Sequence, residues 1–200
     1  MLYYEKKLKK AGYDVIIGVD ESGRGPLAGP VVAVAATLKT THFENRIDDS
    51  KKLTPLLREK AFFELLDKSL FGIGIVSERI IDTLNIRQAT SIAMQQAIEN
   101  LLEKLRPLKN KRIHILIDGD IRPEIKQPFT NIIKGDSRSK SIASASILAK
   151  VIRDRIMLLY DKVYPGYGFL RHKGYPTKEH RTILNRRGPT LIHRRSFVCV

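Results

Sequence analysis

The segment that decides the fold is Gly18-Val19-Asp20-Glu21-Ser22-Gly23-Arg24-Gly25, where an apolar run meets a glycine-rich turn. The run before it, from Val15 to Val19, is short and largely β-branched, which predicts a buried strand. Asp20 and Glu21 then place two adjacent carboxylates at the end of that strand. Crowded carboxylates repel each other unless a cation or a proton neutralises them. In a chain with a formal net charge of +15, the pair indicates a divalent-metal site.

The rest of the chain alternates between strand-like and helical patterns, which indicates a mixed α/β sheet. Four more strands are predicted, over Pro30–Leu38, Phe71–Val76, Ile113–Ile117 and Asn131–Lys134. Helices are predicted over about Thr54–Ser69, Ser77–Leu105 with a break near Asn85, Ser139–Val163 and Thr177–Arg187. Pro107 is expected to stop the second helix, and Tyr164–Pro176 is expected to be a loop. The short connection between the first two strands favours an antiparallel pair.

Four acidic residues share a position at or near the carboxyl end of a predicted strand: Asp20, Glu21, Asp118 and Asp136. Functional groups gather at this edge in open α/β sheets. If the first, fourth and fifth strands are parallel neighbours, the four side chains converge on one patch. Oxygen-rich clusters suit Mg²⁺ or Mn²⁺, and two such ions about 3.5–4 Å apart could activate water and stabilise the leaving oxygen in phosphodiester hydrolysis.

Each of these acids, taken alone, also fits a turn former or a helix cap, which is a common role of Asp after a strand. Asp120 also follows the fourth strand, and we interpret it as a solvated turn residue. Asp154 lies inside the long third helix, and we interpret it as a surface residue or as a partner of the metal-binding acids. Pattern alone does not decide between these roles and metal binding.

Candidate substrate-binding residues lie in three separate segments. Gly23, Arg24 and Gly25 could bring backbone amides close to a sugar hydroxyl while the arginine holds a phosphate, although a tight turn with a surface arginine has the same sequence. Lys51 could contact a phosphate or could belong to a charged loop before a helix. Tyr175 ends a run of interleaved basic and aromatic side chains, which suits stacking on sugars or bases, or it could simply pack.

The length of 200 residues suits one domain, and 42% hydrophobic and 28% charged residues are ordinary for a soluble globular chain. The pI near 10.0 is not ordinary, and it points to a nucleic acid or an anionic membrane surface. Residues 134–200 hold 15 Lys and Arg against 4 Asp and Glu, a net charge of +11, whereas residues 1–133 carry +4. The C-terminal third is therefore the expected electrostatic platform.

Location and assembly follow from what the sequence lacks. No apolar run approaches the roughly 20 residues that span a bilayer, and the first residues lack the apolar core of a signal peptide. We therefore expect a cytoplasmic protein with no membrane partner. Cys199 is the only cysteine, which excludes an intramolecular disulfide and a cysteine-based zinc cluster. No oligomerisation motif is visible, so we expect a monomer.

Taken together, the motifs resemble one family, bacterial ribonuclease HII, also called type 2 RNase H. The blocks that carry the resemblance run in the family's order from about Val15 to Phe197: GVDESGRGPLAGPVV, DSKKL, IDGD, KGDSRSKSIASASILAKVIRD, HKGYPT and GPTLIHRRSF. The resemblance implies an RNase H-like fold, with a five-stranded mixed sheet flanked by helices and a C-terminal helical extension. It also implies a single catalytic domain over residues 1–200, with a core over about 14–163 and a substrate-contacting extension over about 164–200.

The activity implied by the resemblance is metal-dependent hydrolysis of the RNA strand of RNA/DNA hybrids, and incision 5′ of ribonucleotides embedded in duplex DNA, leaving 3′-hydroxyl and 5′-phosphate ends. The implied partners are these hybrids and duplexes, and the implied cofactor is Mg²⁺ or Mn²⁺, with two ions during catalysis. The family's catalytic metal ligands fall on Asp20, Glu21, Asp118 and Asp136. Its 2′-hydroxyl-recognising backbone falls on Gly23, Arg24 and Gly25, its junction-sensing tyrosine on Tyr175, and a lysine close to the substrate backbone on Lys51.

Departures from the family's pattern are mild. Ser22 replaces a common alanine, Asp120 replaces a common asparagine, and the segment after Asp136 reads SRSK. None removes a metal ligand, although Asp120 adds negative charge beside Asp118. Type 3 RNase H is an alternative, but it usually carries an additional N-terminal substrate-binding domain, and only about 14 residues precede the first predicted strand here. A non-catalytic nucleic-acid-binding module, the other alternative, would be expected to lack at least one of the four acids.

Overall fold

A computed structural model describes residues 1–106 and 110–197, and its centre is a five-stranded mixed sheet. The strands are β1 (Val15–Ser22), β2 (Val31–Leu38), β3 (Ser69–Val76), β4 (Ile113–Asp118) and β5 (Phe129–Ile132). They lie in the order β3-β2-β1-β4-β5, with β1, β4 and β5 parallel and β2 antiparallel to both of its neighbours. The predicted mixed sheet, the antiparallel β1–β2 pair and the parallel neighbours are thus confirmed.

Helices pack on both faces of this sheet. The helices of the described residues are α1 (Tyr3–Lys10), α2 (Pro55–Lys68), α3 (Glu78–Leu84), α4 (Ile86–Lys104), α5 (Lys140–Val163), α6 (Phe169–His172) and α7 (Lys178–Arg187), of which α6 and α7 pack in a separate apolar cluster. The predicted break at Asn85 is confirmed, because this residue has a φ of 74° and its side chain caps α4. The predicted stop at Pro107 lies outside the described residues. In the part of the chain that the structure describes, no helix is both long enough and apolar enough to cross a membrane.

Close packing against the sheet explains several glycines. Helix α4 covers one face, and α2 and α5 cover the other. A Cβ atom on Gly74 would lie 1.9 Å from the carbonyl oxygen of Ala93 in α4, and one on Gly18 would lie 2.1 Å from the carbonyl carbon of Ser141 in α5. These strand glycines therefore allow the helix backbones to pack closely against the sheet.

The chain after α5 packs around the loop that joins β1 to β2. A separate apolar cluster holds this region together, and it contains Leu27, Ala28, Met157, Tyr167, Phe169, Leu184 and Ile192. The Arg194 amide donates to the Leu27 carbonyl at 2.8 Å. The amides of Arg195 and Ser196 donate to the Asp82 carboxylate of α3, at 2.8 and 2.9 Å. The C-terminal segment is thus fastened to the β1–β2 loop and to α3.

Several local predictions were wrong. Helix α1 was not predicted; its Glu5 accepts hydrogen bonds from the Ser139 hydroxyl at 2.7 Å and the Ser141 amide at 2.9 Å, at the N-terminus of α5. Strand β5 lies two residues earlier than predicted, because Lys134 takes a left-handed φ of 55° and leads into a 3-10 turn. The short helix α6 lies within the predicted loop.

Candidate active site

The parallel pairing of β1 with β4 brings acidic side chains to one edge of the sheet. Val19 is level with Ile117 in the register, so Asp20 and Asp118, each one residue further on, lie side by side near the carboxyl ends of the two strands. Glu21 follows within β1, because this strand continues to Ser22 instead of stopping before the acids. All three acids line one open cleft of about 870 Å³.

Asp20 is the most confined of these carboxylates, with 5% of its surface exposed. Burial, and then the charges of Glu21 and Asp118, raise the pKa of Asp20 well above its usual range, although the Ser146 hydroxyl and the Glu21 amide favour the charged form. Burial also raises the pKa of Glu21, against the influence of Arg24. Such mutual repulsion is relieved by a bound cation or by protonation.

Asp136 lies beside this group but does not line the cleft. It belongs to the 3-10 turn Gly135–Ser137 and does not directly follow β5. The turn is tied to β4, because the Gly135 amide donates to Asp118 Oδ1 at 2.6 Å. Burial, together with the carboxylates of Asp118 and Asp49, raises the pKa of Asp136. The fourth acid is therefore electrostatically coupled to Asp118.

Cationic side chains surround the acids. Although partial burial lowers the pKa of Lys51, the carboxylates of Asp20, Asp49 and Asp136 outweigh this effect and raise it overall. Arg24 Nη1 lies 3.4 Å from Glu21 Oε1. Lys51 and Arg24 both line the cleft, so an acidic floor has a basic rim.

No three His, Cys, Asp or Glu side chains among residues 1–106 and 110–197 are grouped closely enough to hold a metal ion as they stand. Glu21 Oε1 contacts Arg24, and Asp118 Oδ1 accepts from the Gly135 amide. The oxygen donors fit a hard divalent cation in chemistry and charge. Each contact engages only one oxygen of its carboxylate, Glu21 Oε1 and Asp118 Oδ1.

Gly23, Arg24 and Gly25 form the wall of the cleft next to the acids. Gly23 requires glycine, because its φ is +105° and a Cβ atom would lie 2.2 Å from Arg153 Nε. Gly25 is different: it is exposed, and the nearest atom to a Cβ there would be Tyr175 Cε1, at 3.9 Å. The tyrosine ring, which is 36% exposed, thus stands directly across from Gly25.

Two buried arginines that no sequence pattern reveals hold the loop between β1 and β2, and only Arg194 binds the cleft wall itself. Both are fully buried, and both donate hydrogen bonds of 2.6–3.0 Å to backbone carbonyls. Arg153 binds the carbonyls of Ala28, Pro30 and Lys173, and Arg194 binds those of Gly23, Arg24 and Gly29. Arginine is rarely buried, so no local pattern reveals this role. The only available signal was that both residues fall within the blocks that carry the family resemblance.

The two acids not assigned as metal ligands, Asp120 and Asp154, lie at the surface or on the rim. Asp120 follows β4 and pairs with Arg87 at 2.8 Å, with its side chain 63% exposed, which confirms a solvated turn residue. Asp154 pairs with Lys150 at 2.7 Å on α5. The Lys150 ammonium in turn lies over the ring of Tyr175, 5.6 Å from its centroid. Asp154 therefore contacts the cleft through Lys150.

Known proteins resemble this chain along almost its whole length. The family model for ribonuclease HII matches residues 17–200. The ribonuclease HII of Moorella thermoacetica is 48% identical over 195 residues, covering 97% of this chain and 91% of the relative. That of Syntrophotalea carbinolica is 44% identical over 197 residues, covering 98% and 91%. Among solved structures, the ribonuclease H2 of Pyrococcus horikoshii OT3 matches with a TM-score of 0.67 and 26% identity, over 91% of this chain and 93% of that one. The predicted RNase H-like fold is thereby confirmed.

Proposed function

The chain belongs to the ribonuclease HII family and is a ribonuclease H, a hydrolase that cuts nucleic acid, and from this premise we propose its substrates. It hydrolyses the RNA strand of RNA/DNA hybrids and incises duplex DNA 5′ of embedded ribonucleotides, leaving 3′-hydroxyl and 5′-phosphate ends. One observation carries the proposal: three acids, the Gly23–Gly25 segment, Lys51 and Tyr175 line the same cleft. The acids can then cleave the phosphodiester next to the same nucleotide whose sugar the Gly23–Gly25 segment binds.

The four acids would hold Mg²⁺ or Mn²⁺, with two ions during catalysis: Asp20, Glu21, Asp118 and Asp136. The raised pKa values of Asp20, Glu21 and Asp136 support this proposal, because a cation would offset the repulsion that raises them. Bound there, divalent ions would supply an activated water and charge stabilisation of the phosphodiester oxygens. Glu21 would then release Arg24, which frees the guanidinium to hold a phosphate.

The rim of the cleft would hold the substrate strand. The amides of the Gly23–Gly25 segment would bind the ribose 2′-hydroxyl, because Gly25 leaves room for a sugar to approach the backbone. Tyr175, whose exposed ring faces this segment, would stack on the sugar at the RNA–DNA junction. Lys51 would contact a backbone phosphate next to the acids.

We also propose that residues from about 164 onward form the substrate-contacting part of a single catalytic domain that acts as a monomer. Exposed basic side chains of α7 support this role: Lys178, Arg181, Arg186 and Arg187. Such contacts with phosphates carry no sequence information, but they fix the duplex in register and weaken with added salt.

Cleavage of a DNA duplex that contains one ribonucleotide tests the proposed function. We expect the wild-type protein to cut once, 5′ of the ribonucleotide, and only with Mg²⁺ or Mn²⁺ present. Asp118→Asn should lower the incision rate at least about 100-fold. Even the loss of a side chain that only hydrogen-bonds to a metal ligand lowers metal affinity or activity about 10–100-fold. Gel mapping of both product ends gives the position and the end chemistry.

Asp120→Asn is the matched control, because Asp120 also follows β4 but is exposed and paired with Arg87. We expect its rate to stay within about twofold of the wild type, as for most surface substitutions. Incision without metal, a cut 3′ of the ribonucleotide, or full activity of Asp118→Asn would contradict the proposal.

A further inference from the structure

The Arg194 guanidinium binds the backbone of Gly23–Gly25 from behind the cleft wall. Its Nη2 donates to the Gly23 carbonyl at 2.6 Å, and its Nη1 donates to the Arg24 carbonyl at 3.0 Å. Its Nε and Nη2 also donate to the Gly29 carbonyl, at 3.0 and 2.7 Å. The planar fork therefore ties together both ends of the loop between β1 and β2.

Fixing these carbonyls also fixes the direction of two amides. In a trans peptide, the C=O of one residue and the N–H of the next point in opposite directions. The Gly23 carbonyl points to Arg194, so the Arg24 N–H points away from it. The Arg24 carbonyl likewise points to Arg194 and turns the Gly25 N–H away.

These two amides are available to a ligand. Arg24 and Gly25 are exposed and line the cleft. Gly23, which precedes them, is buried. Among the described residues, the N–H groups of Arg24 and Gly25 have no backbone acceptor. Successive amides that point in the same general direction form a donor pair suited to one oxygen atom.

The position of Arg194 also makes these amides better donors. All of its side-chain hydrogen bonds within the described residues go to carbonyls, and burial together with the nearby Arg153 lowers the pKa of Arg194 to about 9. A cation on the oxygen side of a peptide polarises that peptide, which strengthens its N–H as a donor in a low-dielectric setting.

We infer that Arg194 is a positioning residue for ribose recognition, which aims the N–H groups of Arg24 and Gly25 at the 2′-oxygen of a ribonucleotide in the cleft. The inference rests on the proposed function and extends it to a side chain that does not itself touch the substrate.

Equilibrium binding without metal tests the inference, with two DNA duplexes that differ by a single 2′-hydroxyl. The wild-type protein should bind the ribonucleotide duplex more tightly. Arg194→Lys keeps the charge but cannot hold three carbonyls on one planar fork. We expect it to lower the preference for the ribonucleotide about tenfold, the effect of one or two hydrogen bonds. Affinity for the all-DNA duplex should stay within about twofold of the wild type, because the contacts with phosphates are unchanged.

Arg153→Lys is the matched control. Arg153 is equally buried and also binds three carbonyls, but none of them belongs to Gly23–Gly25. It should lower the melting temperature about as much as Arg194→Lys while keeping the preference for the ribonucleotide. Equal loss of preference in the two variants, or an unchanged preference in folded Arg194→Lys, would overturn the inference. A wild-type protein that neither prefers the ribonucleotide duplex nor incises it would instead overturn the proposed function.

A second measurement covers the case in which Arg194→Lys does not fold. In wild-type protein labelled with ¹⁵N-glycine, the Gly25 amide proton should move downfield on adding the ribonucleotide duplex and move less with the all-DNA duplex. Gly188, which ends α7 and does not line the cleft, provides the internal reference. An equal response of the Gly25 amide to both duplexes, in a protein that still incises only the ribonucleotide duplex, would overturn the inference.

Discussion

At the scale of single residues, Asp20 opposes folding when no metal is bound. Burial and the neighbouring acids raise its pKa in the folded chain above the value of about 3.9 expected in the unfolded chain. The folded state therefore binds a proton more readily than the unfolded state. The resulting loss of stability is absent below about pH 4 and grows as the pH rises toward the raised pKa.

We expect Asp20→Asn to raise the melting temperature of the metal-free protein at pH 8, because it removes a buried ionisation. The same substitution should abolish incision and the stabilisation that Mg²⁺ gives the wild-type protein. Thermal melts with EDTA and with Mg²⁺ measure both effects. A variant that melts below the wild type in EDTA would contradict this account of the cleft.

The two glycines of the cleft wall should respond differently to alanine. Gly23→Ala forces a side chain onto a φ of +105° and against Arg153, so we expect a loss of about 2 kcal/mol or more in unfolding free energy. Gly25→Ala meets no close protein atom and should leave the unfolding free energy within about 0.5 kcal/mol. Its incision rate should nevertheless fall, because the methyl group occupies the space proposed for the ribose. Denaturant titrations and incision rates separate the two; a fully active Gly25→Ala would count against backbone recognition of the sugar.

The convergence of the acids and the glycine wall on one cleft could be predicted at this scale because it follows from position along the chain. Asp20 and Asp118 lie near the carboxyl ends of parallel strands, and Gly23 follows the last residue of β1. Arg153 and Arg194 could not, since their roles depend on carbonyls that lie 20 to 171 residues away in the sequence. The closeness of Glu21 to Arg24 was likewise invisible until the side chains were placed.

At the scale of elements, a chain of buried histidines joins the C-terminal segment to the backbone of Tyr175. His193 Nδ1 accepts from the Thr190 amide at 2.9 Å, so its proton lies on Nε2 and is donated to His180 Nε2 at 3.0 Å. His180 can then donate from Nδ1 to the Tyr175 carbonyl, at 2.9 Å. His172 stacks on His180 with centroids 4.2 Å apart. This arrangement requires neutral rings.

The histidines should make the C-terminal elements sensitive to acid. Burial, and then the nearby His180, lowers the pKa of His193 from 6.5 to about 4, so between these values the unfolded chain binds a proton that the folded chain does not. Stability should therefore fall as the pH drops from about 6.5 to about 4, by at most about 1.4 kcal/mol per pH unit for each such group. His193→Gln should give a shallower dependence of melting temperature on pH over this window. An unchanged slope would show that this ring is not titrating in the expected range.

Which elements could be predicted depended on whether local sequence or tertiary contact forms them. Helix α5 has an apolar pattern and an N-cap of its own and lies close to its predicted bounds, and strand β1 begins where predicted but runs three residues further, to Ser22. Helix α1 has eight residues, half of them lysine, and depends on the contact of Glu5 with α5. Helix α6 is a single turn inside a glycine-rich run, which local periodicity does not distinguish from a loop.

At the scale of the whole molecule, the basic surface attracts nucleic acid, whereas the acids in the cleft repel its phosphates. A net charge of +15 draws a nucleic acid to the protein, and the basic C-terminal third gives that attraction a direction. The acids at the ends of β1 and β4 would repel the same phosphates unless divalent ions intervene. Binding and cleavage should therefore depend on different charges, and cleavage alone should require the metal.

Two DNA duplexes that are identical except for one 2′-hydroxyl, each incubated with the wild-type protein in Mg²⁺ and in EDTA, test metal-dependent cleavage at a ribonucleotide directly. We expect a single incision, 5′ of the ribonucleotide, in the duplex that carries the 2′-hydroxyl with Mg²⁺, and none in the other three conditions. Equal cutting of both duplexes, or any cutting in EDTA, would contradict this expectation.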